Sequence, residues 1–90
     1  METEVLMDMT DSCGKSLQLY KYNYDGDVGY VISADFVDVS KVGGGCYWCT
    51  TSATLAEALA KLAKIIEHLD ANNGMFDADY LVATFGMATC

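Results

Sequence analysis

The stretch TLAEALAKLAKIIEHLD, from Thr54 to Asp70, does most to restrict what this chain can fold into. Thr54 and Glu57 form a T-x-x-E capping box, in which each side chain satisfies a backbone N–H that the first helical turn leaves without a partner. Leu55, Leu59, Leu62, Ile66 and Leu69 then recur at spacings of four and three, one apolar stripe on a helix from about Leu55 to Asp70. Ala56, Ala58, Ala60 and Ala63 raise its helix propensity, and Glu57 and Lys61 stand four apart in the favourable order. Asn72, Asn73 and Gly74 tolerate the left-handed backbone that closes a helix. Such a stripe has to be covered, and a sheet is the only large partner the rest of the chain can supply.

That sheet is written upstream. LQLYKYNY, Leu17 to Tyr24, alternates strictly, with Gln18, Tyr20, Tyr22 and Tyr24 on one side and Leu17, Leu19, Lys21 and Asn23 on the other. Asp25–Gly26–Asp27 is turn chemistry, with Gly26 free to adopt a positive φ. A second strand is expected from about Val28 to Phe36, presenting Val28, Tyr30, Ile32, Ala34 and Phe36 on one face. Past it, Ser33 could cap a short helix ending at Gly43. The β-branched Val37, Val39 and Val42 favour extension instead, so the strand is expected to run to about Val39 before a glycine turn. Cys46 to Thr51 reads as a strand with Cys46 and Trp48 on one side and Tyr47 and Cys49 on the other. Tyr80 to Phe85 reads as a closing strand, a short helix being the alternative. The expected fold class is α+β: a small antiparallel sheet of three to four strands with one amphipathic helix packed on one face. Residues 1–90 form one domain, since no proline and no low-complexity linker divides them.

Charge narrows the function. Thirteen Asp and Glu oppose five Lys and no Arg, for a formal net charge of −8. Arg is the side chain best shaped for phosphate, so neither direct DNA or RNA binding nor docking on an anionic membrane is expected. A basic protein partner is, although an acidic surface also simply keeps a small protein soluble. Apolar residues make up 52% of the chain, ample for a core, even though a chain this short buries only about 60–65% of its unfolded surface. No apolar run approaches the roughly 18 residues of a membrane span. METEVLMDMTDS lacks a basic n-region. A cytoplasmic protein with reduced thiols, monomeric or a small homo-oligomer, is the resulting expectation.

The residues that could carry chemistry do not assemble into a reaction centre. Cys46 and Cys49 form C-x-x-C, but Cys13 and Cys90 are singletons, and a structural zinc site wants four ligands, commonly as two close pairs. On a regular strand, residues three apart point to opposite faces. A redox pair sits at a helix N-terminus, whereas the helix cap here, Thr54, comes five residues after Cys49. These cysteines read as small buried hydrophobes. NYDGDVGYV has an acid–glycine rhythm but fails the calcium-loop pattern: counted from Asn23, position 6 is Val28 and position 12 is Ala34. His68, the one histidine, lies near the helix C-terminus without a Ser or Cys partner on its turn. Gly43–Gly45 lacks the Lys-Ser/Thr of a phosphate loop, and there is no G-x-S-x-G. The sequence points to no enzyme, no metal and no cofactor.

What remains is surface. The candidate partner-binding residues are Asp25 and Asp27 at a hairpin tip, Asp35 and Asp38 at the following strand end, Asp77 and Asp79 before the last element, and the row Tyr20, Tyr22 and Tyr24. Exposed Tyr beside Asp makes a good protein-binding surface; the row is equally compatible with a core face.

Thr54-Leu55-Ala56-Glu57-Ala58-Leu59, entered from a strand, resembles the T-L-x-E-A-L helix start of HicB-type antitoxins, over about a dozen residues. VSKVGGGCYWCTTSA stands where that family has F-P-D-L-P-G, and the family's DNA-binding tail has no counterpart. In length, charge and want of an enzyme motif the chain also resembles small phage-encoded anti-CRISPR inhibitors, some of which present carboxylates where phosphates would sit. That resemblance implies an inhibitor of a nucleic-acid-binding defence complex in a host cytoplasm. The leading expectation is thus an inhibitor that binds a basic, nucleic-acid-binding surface of another protein. An antitoxin-type module, or a small thiol or zinc protein resting on the four cysteines alone, are the alternatives.

Overall fold

A computed structural model of the chain describes residues 2–37 and 47–86. Four strands, β1 (Glu2–Thr10), β2 (Ser16–Tyr24), β3 (Asp27–Ala34) and β4 (Trp48–Ser52), are followed by two helices, α1 (Leu55–Ala71) and α2 (Ala78–Phe85). The strands form one antiparallel sheet in the order β1-β2-β3-β4. The fold class is therefore α+β, as expected, with two helices among the described residues in place of one.

The β2–β3 hairpin follows from the alternation. Tyr24 pairs with Asp27, so Asp25 and Gly26 alone make the loop. Both take positive φ, 51° and 84°, the signature of a primed turn whose twist matches that of the strands. The Asn23 side chain closes it by accepting from Gly26 N–H at 3.0 Å. Leu17, Leu19, Ile32 and Ala34 then share the face that α1 covers, all four at most 2% exposed. Trp48 joins them from β4, fully buried, and its indole Nε1 donates to the Gly86 carbonyl at 2.7 Å.

Several expectations are corrected. The strand expected to reach Phe36 and on to Val39 ends at Ala34: Asp35 and Phe36 form a turn, and Phe36 stacks on Phe76 at 5.6 Å. Val39 and Val42 lie outside the described residues. The strand expected from Cys46 starts at Trp48, and Cys46 too is outside them. Tyr47 and Cys49 do take the face opposite Trp48, but Cys49 is disulfide-bonded rather than a reduced thiol; a strand-fixed, buried side chain (4% exposed) supplies the rigid Cβ direction that such a bond requires. Cys13 is a free and exposed thiol, not a buried hydrophobe. Ala78–Phe85 is helix, not strand. Asp77 caps it, its carboxylate accepting from Asp79 N–H at 3.0 Å and Tyr80 N–H at 3.4 Å, and Leu81 is buried beneath it. The local cap and the core outweigh the strand propensity of Tyr80, Val82 and Phe85.

Ahead of α1 one half of the expected capping box is present, with Glu57 N–H donating to Thr54 Oγ1 at 3.2 Å; Glu57 Oε2 accepts from Ala53 N–H, one residue before the cap, and not from Thr54 N–H. The buried line is Ala58, Leu62 and Ile65, with Leu69 packed beside it. Leu55, Leu59 and Ile66 of the expected stripe are 41%, 46% and 38% exposed. Ala58 faces the sheet because its small side chain lets the helix lie close over β3 and β4. Lys61 does not turn to Glu57; its ammonium donates to Thr50 Oγ1 at 3.0 Å and the Thr51 carbonyl at 2.6 Å. Asn73 and Gly74 close the helix in the left-handed region, with Gly74 N–H bonded to the Leu69 carbonyl.

β1 was not expected. It is exposed along almost its whole length, with a register shift between Val5 and Met7. Charges and a bulge are how an edge strand avoids pairing with other chains.

Candidate functional site

The sheet has one face under α1 and one face that no described helix or strand covers. Cross-strand pairing fixes what lies on this second face: Val5 beside Tyr20, Thr3 beside Tyr22, Asp8 beside Gln18, Gln18 beside Ser33, and Tyr24 beside Asp27. Tyr20, Tyr22 and Tyr24 therefore form a row on the uncovered face, the outcome the alternation left open. Tyr20 and Tyr22 are half-buried and Tyr24 is 60% exposed. Burial pushes the Tyr20 phenol above its ordinary pKa. Tyr22 lies against Gly29, whose missing side chain makes room for the ring. The face is not bare throughout, since Val31 and Cys49 are buried on it.

Acids mark both ends of the row. Asp25 and Asp27 stand exposed at the hairpin tip. At the other end Asp8, on β1, and Asp35, just past β3, border a groove of about 270 Å³ whose other described lining residues are Ser16, Gln18, Ser33 and Tyr47. Asp35 is held there by Ser16, whose N–H donates to its Oδ1 at 3.4 Å. From Gln18 to Tyr24 is six strand steps, about 20 Å at 3.3 Å each. Asp8, an acid that the sequence shows but does not place, joins the face through β1.

The remaining expected site residues do not join it. Asp77 and Asp79 belong to the helical layer. Asp77 is a cap and an anchor: besides its own helix it holds His68, whose Nε2 lies 3.3 Å from Asp77 Oδ2. Desolvation raises the Asp77 pKa, but the hydrogen bonds from Tyr80 N–H, His68 and Asp79 N–H outweigh it and hold the carboxyl below its ordinary value. The His68 ring stacks on Tyr80 at 3.8 Å, so the pair ties α2 to α1 and is not paired with a nucleophile. Asp38 lies outside the described residues.

Asp11 is a second structural carboxylate. Its Oδ1 accepts from Cys13 and Lys15 N–H at 2.9 and 2.8 Å, and its Oδ2 from Phe76 N–H at 3.0 Å. Desolvation again acts to raise its pKa, and these three bonds together with the Lys15 charge bring it below the ordinary value. Lys15 Nζ completes the clamp on the Phe76 carbonyl.

Among the described residues no three His, Cys, Asp or Glu side chains converge as metal ligands, and no helix is long and apolar enough to cross a membrane. Comparison with protein-family models, curated proteins and solved structures gives no match.

Proposed function

We propose that this chain is a binding protein, without catalytic activity of its own, whose uncovered sheet face docks on a basic, nucleic-acid-binding surface of a partner protein and blocks it, as an inhibitor of a defence complex would. The observation that carries this reading is the row Tyr20, Tyr22 and Tyr24, flanked by Asp25 and Asp27 at one end and by Asp8 and Asp35 at the other. Tyrosine supplies large, rigid contact area with a polar tip, and net charge −8 speeds encounter with a basic patch.

Magnitude decides what the contact rests on. About 20 Å of duplex carries roughly twelve backbone charges at one per 1.7 Å. Four acids at the two ends of the row cannot reproduce that density. The tyrosines therefore supply most of the buried contact, and the acids set orientation and association rate.

The test begins with capture of the partner from a host lysate and proceeds to a binding titration with competing nucleic acid at about 0.1 M and about 1 M salt, where the Debye length falls from about 10 Å to about 3 Å. Asp8→Lys together with Asp27→Lys should slow association without unfolding the domain, with Asp→Asn at the same sites doing less. Tyr24→Ser should speed dissociation. Affinity that ignores salt, survives both changes and coexists with bound nucleic acid refutes the reading.

A further inference from the structure

The groove at the Asp8–Asp35 end has its own chemistry. Among its described lining residues, the floor is the Gln18–Ser33 cross-strand pair with Ser16 beside it, and the walls are Asp8, Asp35 and Tyr47. Each of these six side chains carries an oxygen that accepts hydrogen bonds, and none carries a positive charge. Asp35 Oδ1 takes one bond from Ser16 N–H, which leaves Oδ2 of Asp35 and both oxygens of Asp8 for a guest. Tyr47 lines the groove and is 62% exposed, so its ring is open to a guest.

We infer that this groove is a receptor for an arginine side chain, the point at which a basic partner would be read residue by residue. The inference rests on the proposed docking of the sheet face and names what that docking recognises. Three features select guanidinium over other cations. β1 and β3 flank β2, with Asp8 opposite Gln18 and Asp35 two residues past Ser33, so their backbones are at least about 10 Å apart, two strand spacings across the sheet with a further offset along it. A metal ion needs its oxygen ligands gathered within about 2.6 Å, and no such cluster exists among the described residues. A lysine ammonium is a compact point charge that satisfies one carboxylate at a time, whereas guanidinium spreads five N–H donors over a planar fork. The same plane stacks on an aromatic face, which Tyr47 supplies. A groove of about 270 Å³ has room for a guanidinium group.

The experiment needs no partner. The whole chain is titrated at low salt with N-acetyl-arginine amide and, separately, with N-acetyl-lysine amide, and the amide resonances are followed by NMR. The arginine probe should shift Gln18, Ser33 and Tyr47 saturably, and the lysine probe should bind about tenfold more weakly. Asp8→Asn with Asp35→Asn should abolish saturation while leaving the rest of the spectrum folded, and Tyr47→Ala should weaken binding. Glu67→Gln with Asp70→Asn, which removes two exposed acids of α1 outside the groove and the tyrosine row, should titrate like the parent. Equal, unsaturated shifts from the two probes, or an undiminished arginine titration in the double Asn variant, overturn the inference. If the arginine probe binds as described but the captured partner ignores the Asp8 and Asp35 changes, the groove stands and the docking of the sheet face falls.

Discussion

Tyr22 lies across Gly29, its cross-strand partner on β3, and a methyl group built at Gly29 would overlap the phenol ring. Glycine in a strand otherwise weakens it, so here the aromatic ring fills what the glycine leaves open. Gly29→Ala should lower stability by about 1–3 kcal/mol, the usual cost of overpacking. In a Tyr22→Ala background the obstacle is gone, and the same change should cost close to nothing. Thermal melts of the four proteins measure the coupling; additive losses would mean that the ring moves aside freely.

The two apolar lines of α1 make opposite predictions for neighbouring leucines. Leu62 is 2% exposed and Leu59 is 46% exposed. Leu62→Ala should cost about 2–5 kcal/mol, while Leu59→Ala should stay within about 0.5 kcal/mol of the parent. Urea titrations of both variants check this, and equal losses would place the helix in a different rotation.

Acid should weaken the fold through two carboxyls. Asp11 and Asp77 both titrate below their ordinary value when folded. Between the folded and unfolded values the unfolded chain binds more protons, so stability rises with pH there. Their contribution is complete above the ordinary value of 3.8 and is lost as pH falls through the depressed folded values. Asp11→Asn and Asp77→Asn should each lower the melting temperature at neutral pH and flatten its fall on the acid side. An acid limb unchanged in the double variant would assign the acid sensitivity elsewhere.

Trp48 is the one tryptophan and is fully buried. Its emission should therefore be blue-shifted when folded and report unfolding directly. Trp48→Phe removes the donor to Gly86 and leaves space beside Phe85, whose ring centre lies 6.3 Å away. A loss of about 1–3 kcal/mol is expected, chiefly from the space the buried indole vacates, since Gly86 is exposed and water can satisfy its carbonyl. Hydrogen exchange at Leu81 and Phe85 should quicken, since α2 loses its tie to β4. Unchanged exchange there would show that α2 is held by Leu81 and Asp77 alone.

The sequence made legible those parts whose signals are local. The β2–β3 hairpin declares itself by strict alternation around a two-residue Asp25–Gly26 loop, and α1 by a cap, a period and a stop. β1 carries no such signal, because an edge strand exposed on both faces has no reason to alternate. α2 was hidden by composition: eight residues rich in aromatic and β-branched side chains resemble a strand until Asp77 is seen to cap them. The rotation of α1 was ambiguous because Leu55–Leu59–Leu62–Ile66 and Ala58–Leu62–Ile65–Leu69 both step by three and four. The tyrosine row was readable for the same reason as its strand. The groove was not, since Asp8, Gln18, Ser33 and Tyr47 meet only through the register of four strands, which no local pattern encodes.

The clamp at Asp11 also sets an order of events in time. Every strand of the sheet pairs only with its neighbour in sequence, so the sheet grows by short closures, the topology that folds fastest among β structures. The bond from Phe76 to Asp11 instead joins residues 65 apart. Closing a loop of that length costs about 1.7 kcal/mol more entropy than closing one of ten residues. The β2–β3 hairpin can therefore form before anything downstream exists, while the seam between the first turn and the α1–α2 junction must wait for nearly the whole chain. It is expected to set after the hairpin and to open before it, and the amide of Phe76 should exchange with solvent well before that of Ile32.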